Sequence, residues 1–194
     1  MASKDRVTYI CGECGYESAK WMGKCPQCES WNTMTEFAEV KVKSGAPTGT
    51  AVSQKLSKVV SLPQKRISAG MSELNRVLGG GLIRGMVVLL GGDPGIGKST
   101  LLLQAADTLA GESVVLYVSG EESASQIKMR ADRLGMKNDI DVLCETDLDQ
   151  IIDEATNTRC NVLIVDSIQT IISEESAGAP ASVSQVRAAT ARLT

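Results

Sequence analysis

From residue 67 onward, short unbroken apolar runs alternate with stretches whose apolar positions recur every three or four residues. MVVLLG (86–91) is a run suited to a strand buried on both faces. STLLLQAADTLAG (99–111) follows, with apolar residues at 101, 102, 105 and 109 and a helix-stopping glycine. SVVLYVS (113–119) reads as a second strand. Ser123 and Gln126 have the spacing of a capping box for a helix reaching about Leu134. IDVLC (140–144) is a third strand, and Asp147 caps a helix holding Ile151, Ile152 and Ala155. NVLIVD (161–166) is a fourth strand, and Ser182 with Gln185 opens a last helix. Strands alternating with helices of this length predict an α/β fold with a parallel sheet and right-handed crossovers.

The first 66 residues follow neither rhythm. Residues 1–36 carry four of the six cysteines, and five of the six aromatic residues (Tyr9, Tyr16, Trp21, Trp31, Phe37) lie in the first 37. Residues 37–66 have scattered Gly, Pro, Ser and Thr, which reads as a linker with a short strand at about 58–62. The expected organisation is therefore a cysteine module (1–36), a linker (37–66) and an α/β core (67–194). Charge follows the same division. Residues 40–66 hold six basic and no acidic residues, between residues 1–39 with six acidic and four basic residues and a core with seventeen acidic and ten basic. The linker charge suits either non-specific phosphate contact or plain solvation.

Composition narrows the chemistry. The absence of any 18-residue apolar run predicts no membrane-spanning helix, and MASKDRVTYICG lacks the apolar stretch of a secretory signal. A cytoplasmic location follows, where reducing conditions disfavour disulfides. The chain has no histidine, which removes His-based nucleophile dyads and mixed Cys/His metal sites. A base catalyst must then be a carboxylate or something less usual.

GDPGIGKS fits G-x-x-x-x-G-K-[ST] between an expected strand and an expected helix. Gly92, Asp93, Pro94, Gly95, Ile96 and Gly97 would turn backbone N–H groups toward a phosphate. Lys98 reaches the terminal phosphates, Ser99 offers a hydroxyl to Mg²⁺, and Thr100 continues the helix start whose positive end faces the anion. Asp166 ends the fourth strand as a candidate for the Mg²⁺ shell. Glu121 and Glu122 follow the second strand; Glu121 is the preferred water activator and Glu122 a supporting residue, against the plainer reading of both as helix-start acids.

Cys11-x2-Cys14 and Cys25-x2-Cys28, ten residues apart, form two knuckles that can converge on one tetrahedral ion. Thiolate ligands favour zinc, with iron or a redox pair as the alternatives. Trp21 and Trp31 could stack on bases of single-stranded DNA or pack around the metal. Cys144 and Cys160 read as buried small apolar residues.

GMSELNRVLGGGLIRGMVVLLGGDPGIGKSTLLLQ, YVSGEES and NVLIVDSIQT together resemble the RecA-type ATPase core, and in particular the bacterial RadA (Sms) family, which also begins with a four-cysteine module. The resemblance implies a P-loop RecA-like sheet behind a zinc module, with ATP, Mg²⁺ and Zn²⁺ as cofactors. It implies Gly92–Ser99 as the nucleotide loop, Asp166 as the second acidic motif, Glu121 and Lys98 as the catalytic residues, and Cys11, Cys14, Cys25 and Cys28 as zinc ligands. It further implies a DNA-dependent ATPase of recombinational repair, forming hexameric rings on single-stranded or branched DNA and promoting branch migration with the RecA recombinase. Family members continue past ARLT with a further core strand, a KNRFG motif and a Lon-like domain, so this chain is expected to be an N-terminal part with an incomplete sheet. Arg187 and Arg192, on the expected last helix, do not replace that motif. Two other readings stand beside it. One is a zinc-stabilised, nucleotide-sensing interaction module without catalysis. The other is a relative of circadian-clock kinases, which share the paired glutamates but are not known for a cysteine module.

Overall fold

Apolar runs become strands only where a neighbouring backbone completes their hydrogen bonds, and that requirement shapes this molecule. The computed structural model describes residues 7–12, 15–38, 53, 55–58, 64–176 and 178–194. At the N-terminus, β1 (Val7–Cys11), β2 (Glu17–Ser18) and β3 (Met34–Ala38) form a small antiparallel sheet in the order β2-β1-β3. Strand β3 runs two residues into the expected linker. Where a short strand was expected from residue 58, Leu56–Lys58 makes a single 3-10 turn, and residues 59–62 lie outside the described residues.

The core contains α1 (Ser72–Val77), α2 (Lys98–Ala110), β4 (Val115–Ser119), α3 (Ala124–Leu134), β5 (Asp141–Leu143), α4 (Leu148–Asn157), β6 (Val162–Asp166) and α5 (Val183–Leu193). The three strands are parallel in the order β5-β4-β6. β4 lies between the other two and is buried along its whole length. Its alternation sends Val115 and Tyr117 to one face and Leu116 and Val118 to the other. Leu103, Ala106 and Leu109 of α2 and Ile127 of α3 cover the first face. Leu148 and Ile151 of α4, Ile171 of the segment after β6, and Ala189 of α5 cover the second. The result is a three-layer α/β/α core.

Local chemistry sets the helix starts. Ser123 and Gln126 form a complete capping box on α3. The Asp147 carboxylate accepts from the N–H groups of Asp149 and Gln150 at the head of α4, and the Ser182 hydroxyl accepts from Gln185 N–H at the head of α5.

Residues 86–91 differ from the sequence reading. They belong to no strand, and Val87 and Leu89 are 63% and 86% exposed. β6 pairs with β4 on one side and with no other strand among the described residues. Apolar character suits a segment to a sheet interior, but no strand among the described residues offers this one a ladder partner. Two cysteines also depart from expectation. Cys144, just past the end of edge strand β5, is exposed rather than buried. Cys160 is half-buried against the α4 side of the core, and burial pushes its thiol up.

The last helix ties the pieces together. Arg187 pairs with Glu17 of the cysteine module, and Gly15 sits against Val183. Arg192 pairs with Asp149 of α4. The buried Gln185 amide accepts from Ser173 N–H at 2.8 Å and donates to the carbonyl of Ser176 at 2.7 Å, clamping the segment that follows β6.

Candidate nucleotide and metal sites

In the cysteine module, the Sγ atoms of Cys11, Cys25 and Cys28 lie within 4.8 Å of one another, and those of Cys11 and Cys28 are 3.6 Å apart. A tetrahedral ion with metal–sulfur bonds of about 2.3 Å sets its ligands roughly 3.8 Å apart, so the spacing fits a shared metal. Cys14, the fourth expected ligand, lies outside the described residues. The two knuckles share one backbone device. Gly15 and Glu29, each directly after a second cysteine, are left-handed (φ 75° and 59°). Their N–H groups donate back to the carbonyls of Cys11 and Cys25, both at 2.9 Å. The Thr33 hydroxyl lies 3.2 Å from Cys11 Sγ, where it can donate to a thiolate.

The two tryptophans sit on the module's surface. Trp21 is 56% exposed and its indole N–H donates to Met34 O at 3.1 Å. Trp31 is 71% exposed.

The phosphate-loop residues Gly92 to Gly97 are exposed and lead into α2, where Gly97 takes the N-cap with φ 104°. Lys98 donates to the carbonyls of Gly92 (2.8 Å) and Asp93 (2.9 Å), which holds its ammonium over the loop. Ser99 and Thr100 occupy the first turn of α2 and are half-buried.

Parallel register carries the acidic residues to the same sheet end. Ser119 of β4 lies opposite Asp166 of β6. Ser99, Ser119, Glu121, Glu122, Arg130 and Asp166 line one cavity of about 180 Å³. The fold thus gathers at one point groups that lie between positions 99 and 166 of the sequence. Three carboxylates face one guanidinium, and the surplus negative charge together with the Ser99 hydroxyl suits a hard dication.

The paired glutamates separate by environment. Glu122 forms an ion pair with Arg130 of α3. Exposed Glu121 accepts a hydrogen bond from the Ser167 hydroxyl at 3.1 Å, beside Asp166. The Ser119 hydroxyl accepts from both glutamate N–H groups. Gly120 permits this turn to pack closely, since a Cβ there would lie 2.2 Å from Thr170 Oγ1.

Sequence reasoning missed four participants: Tyr117, Ser119, Arg130 and Ser167. The Tyr117 hydroxyl donates to Asp166 Oδ2 at 2.6 Å. Burial first, then the Asp166 carboxylate, pushes this phenol well above its ordinary range, so it stays protonated as a donor. One signal was available, since Tyr117 interrupts an aliphatic strand and a buried phenol needs an acceptor. Nothing in the local sequence pairs Arg130 with Glu122 eight residues earlier.

Two family models match the chain. A family model described as a rubredoxin metal binding domain matches residues 9–36, and one described as an AAA domain matches residues 53–194. The chain is 52% identical over 197 residues to DNA repair protein RadA of Halalkalibacterium halodurans, covering 97% of this chain and 43% of that protein. It is 49% identical to DNA repair protein RadA of Bacillus subtilis, covering 98% of this chain and 44% of that protein. The protein of the same name from Streptococcus pyogenes is 48% identical, covering 98% and 43%. The chain thus spans less than half the length of these relatives. Among the described residues no helix is long and apolar enough to cross a membrane.

Proposed function

We propose, from the premise that this chain belongs to the AAA domain family and matches the N-terminal part of RadA proteins, that it is the metal module and nucleotide-binding part of a DNA-dependent ATPase of recombinational repair. The observation that carries the reading is the single cavity shared by Ser99, Glu121 and Asp166 beside the Lys98 loop.

In this reading the backbone of Gly92–Gly97 and the head of α2 bind the phosphates of ATP. Lys98 exchanges its carbonyl partners for phosphate oxygens and orients the terminal phosphate. Ser99 and Asp166 hold Mg²⁺, which supplies charge neutralisation on the phosphates. Glu121 orients and deprotonates the attacking water, while Glu122, paired with Arg130, shapes the turn that carries it. The cysteine ribbon, with Cys11, Cys14, Cys25 and Cys28 as ligands, holds zinc, the ion that closed four-thiolate structural sites favour. Its organisation is the module (1–36), linker (37–66) and core (67–194).

For the longer protein, the reading is a cytoplasmic homo-hexamer that acts on single-stranded or branched DNA and promotes branch migration with the RecA recombinase. The similarity to proteins named for DNA repair supports the DNA-related part. The decisive experiment measures ATP turnover of the full-length protein with and without single-stranded DNA, beside Lys98→Ala. DNA-stimulated turnover abolished by the substitution is the expected result, and turnover indifferent to DNA refutes the reading.

A second reading is favoured by one observation, the unpaired apolar stretch 86–89 next to the phosphate loop. This chain by itself would then bind Mg-nucleotide without hydrolysing it, as a nucleotide-sensing interaction module. Hydrolysis by this chain alone, abolished by Glu121→Gln, excludes that reading.

A further inference from the structure

We infer that Tyr117 is a positioning residue that orients the Asp166 carboxylate toward the metal of a bound nucleotide. The inference rests on the reading of Asp166 as a Mg²⁺-shell residue.

Tyr117 is the one aromatic residue after position 37 in the sequence. It lies in the middle of the central strand, fully buried, and belongs to the cluster of Leu103, Ile127 and Ile164 that fills one face of the sheet. The ring therefore has little freedom to turn. Its hydroxyl ends on Asp166 Oδ2, 2.6 Å away. The two residues stand on adjacent strands locked in parallel register, with Tyr117 opposite Ile164 and Asp166 opposite Ser119. Donor and acceptor thus share a rigid frame, unlike the loop residues around them.

A carboxylate at a strand end turns readily about its two side-chain torsions. A short hydrogen bond to one oxygen fixes that rotation and leaves the second oxygen for the cavity that Asp166 lines with Ser99. This is the role that outer-shell donors play toward metal-ligating carboxylates. A purely structural phenol would need an acceptor equally, but its loss would alter stability and leave metal dependence alone.

The test uses this chain and a fluorescent ADP analogue, titrated with Mg²⁺, with circular dichroism as the check of folding. Tyr117→Phe is expected to raise the Mg²⁺ midpoint roughly tenfold while affinity for the analogue in EDTA is unchanged. A midpoint within about twofold of the unaltered chain overturns the inference, since outer-shell changes typically cost about ten- to a hundredfold. Asp166→Asn separates the two levels of the argument. If it keeps the original midpoint, or if the unaltered chain does not bind the Mg-nucleotide, the reading of Asp166 falls first. If it loses the Mg²⁺ response while Tyr117→Phe keeps it, only the role of Tyr117 falls. Should Tyr117→Phe fail to fold, ¹³Cζ-labelled tyrosine in the unaltered chain gives the answer. The chain has only three tyrosines, so Tyr9→Phe and Tyr16→Phe assign the third signal. Mg²⁺ added to the ADP-bound protein should shift the Tyr117 signal, and an unmoved signal overturns the inference.

Discussion

Replacing Arg130 by methionine should destabilise the core, and removing its partner as well should restore most of the loss. Arg130 of α3 and Glu122 of the turn after β4 are ion-paired with side chains only 20% and 26% exposed. At an effective dielectric constant of about 20, two charges roughly 3 Å apart attract by about 5 kcal/mol before desolvation is subtracted. Methionine keeps the length and apolar stem of arginine but leaves Glu122 without its counter-charge, in a cavity that also holds Glu121 and Asp166. The fully buried limit for such a broken pair is about 3–5 kcal/mol. Partial solvent access lowers the expected cost to about 2 kcal/mol. Arg130 Nη1 is buried without a hydrogen-bond partner among the described residues, so the intact pair also carries an unmet desolvation cost. Arg130→Met combined with Glu122→Gln should therefore fall within about 1 kcal/mol of the original chain. Urea unfolding followed by circular dichroism reads both. A loss of about 2 kcal/mol moves the midpoint by roughly 1 M at the usual urea dependence. A single variant that unfolds with the original midpoint, or a double variant no better than the single, would refute this account of the pair.

Three further outcomes are expected. Glu29→Gly should stabilise the metal module by about 0.5 kcal/mol, because a left-handed non-glycine residue costs about 1 kcal/mol and the exposed Lys24–Glu29 pair returns less than that; competition with a chelator, followed by tryptophan emission, measures it. Stripping the metal, or Cys28→Ser, should unfold the module and open the amides of β1 and β3 to hydrogen exchange while the core's circular dichroism persists, since the cysteines are the centre of the module's small core; unchanged amide protection in β1 and β3 would count against a structural metal. Asp107 is pushed up by burial, but hydrogen bonds from the N–H groups of Asn138 and Lys137 outweigh that and hold its carboxyl below the usual range. A depressed folded value means stability that is present above the unfolded value of about 3.9 and lost as pH falls through the lower folded value. Asp107→Asn should thus cost about 1 kcal/mol at pH 7 and flatten the loss of stability below pH 4, as thermal unfolding across pH would record.

Much of this protein was written in local pattern. The apolar runs at 113–119 and 161–166 became β4 and β6, and the capping residues Ser123, Asp147 and Ser182 start their helices as their spacing implied. These features depend on neighbours within a few residues, so the chain alone determines them. The two C-x-x-C pairs and GDPGIGKS stand out as motifs for the same reason, since each is a short continuous stretch. Pairing was not legible. Residues 86–91 have the composition of a buried strand yet remain outside the sheet, because a ladder needs a second backbone at the right distance. The cavity was decided at the same level. Parallel register between β4 and β6 sets Ser119 beside Asp166, brings the Tyr117 hydroxyl onto its carboxylate, and lets Arg130 of α3 claim Glu122 while Glu121 turns to Ser167. Local composition and spacing set which chemical groups the protein owns and where α3, α4 and α5 begin. Only the packing of strands and helices decided which of those groups meet, because contacts between residues dozens of positions apart depend on register and burial rather than on local preference.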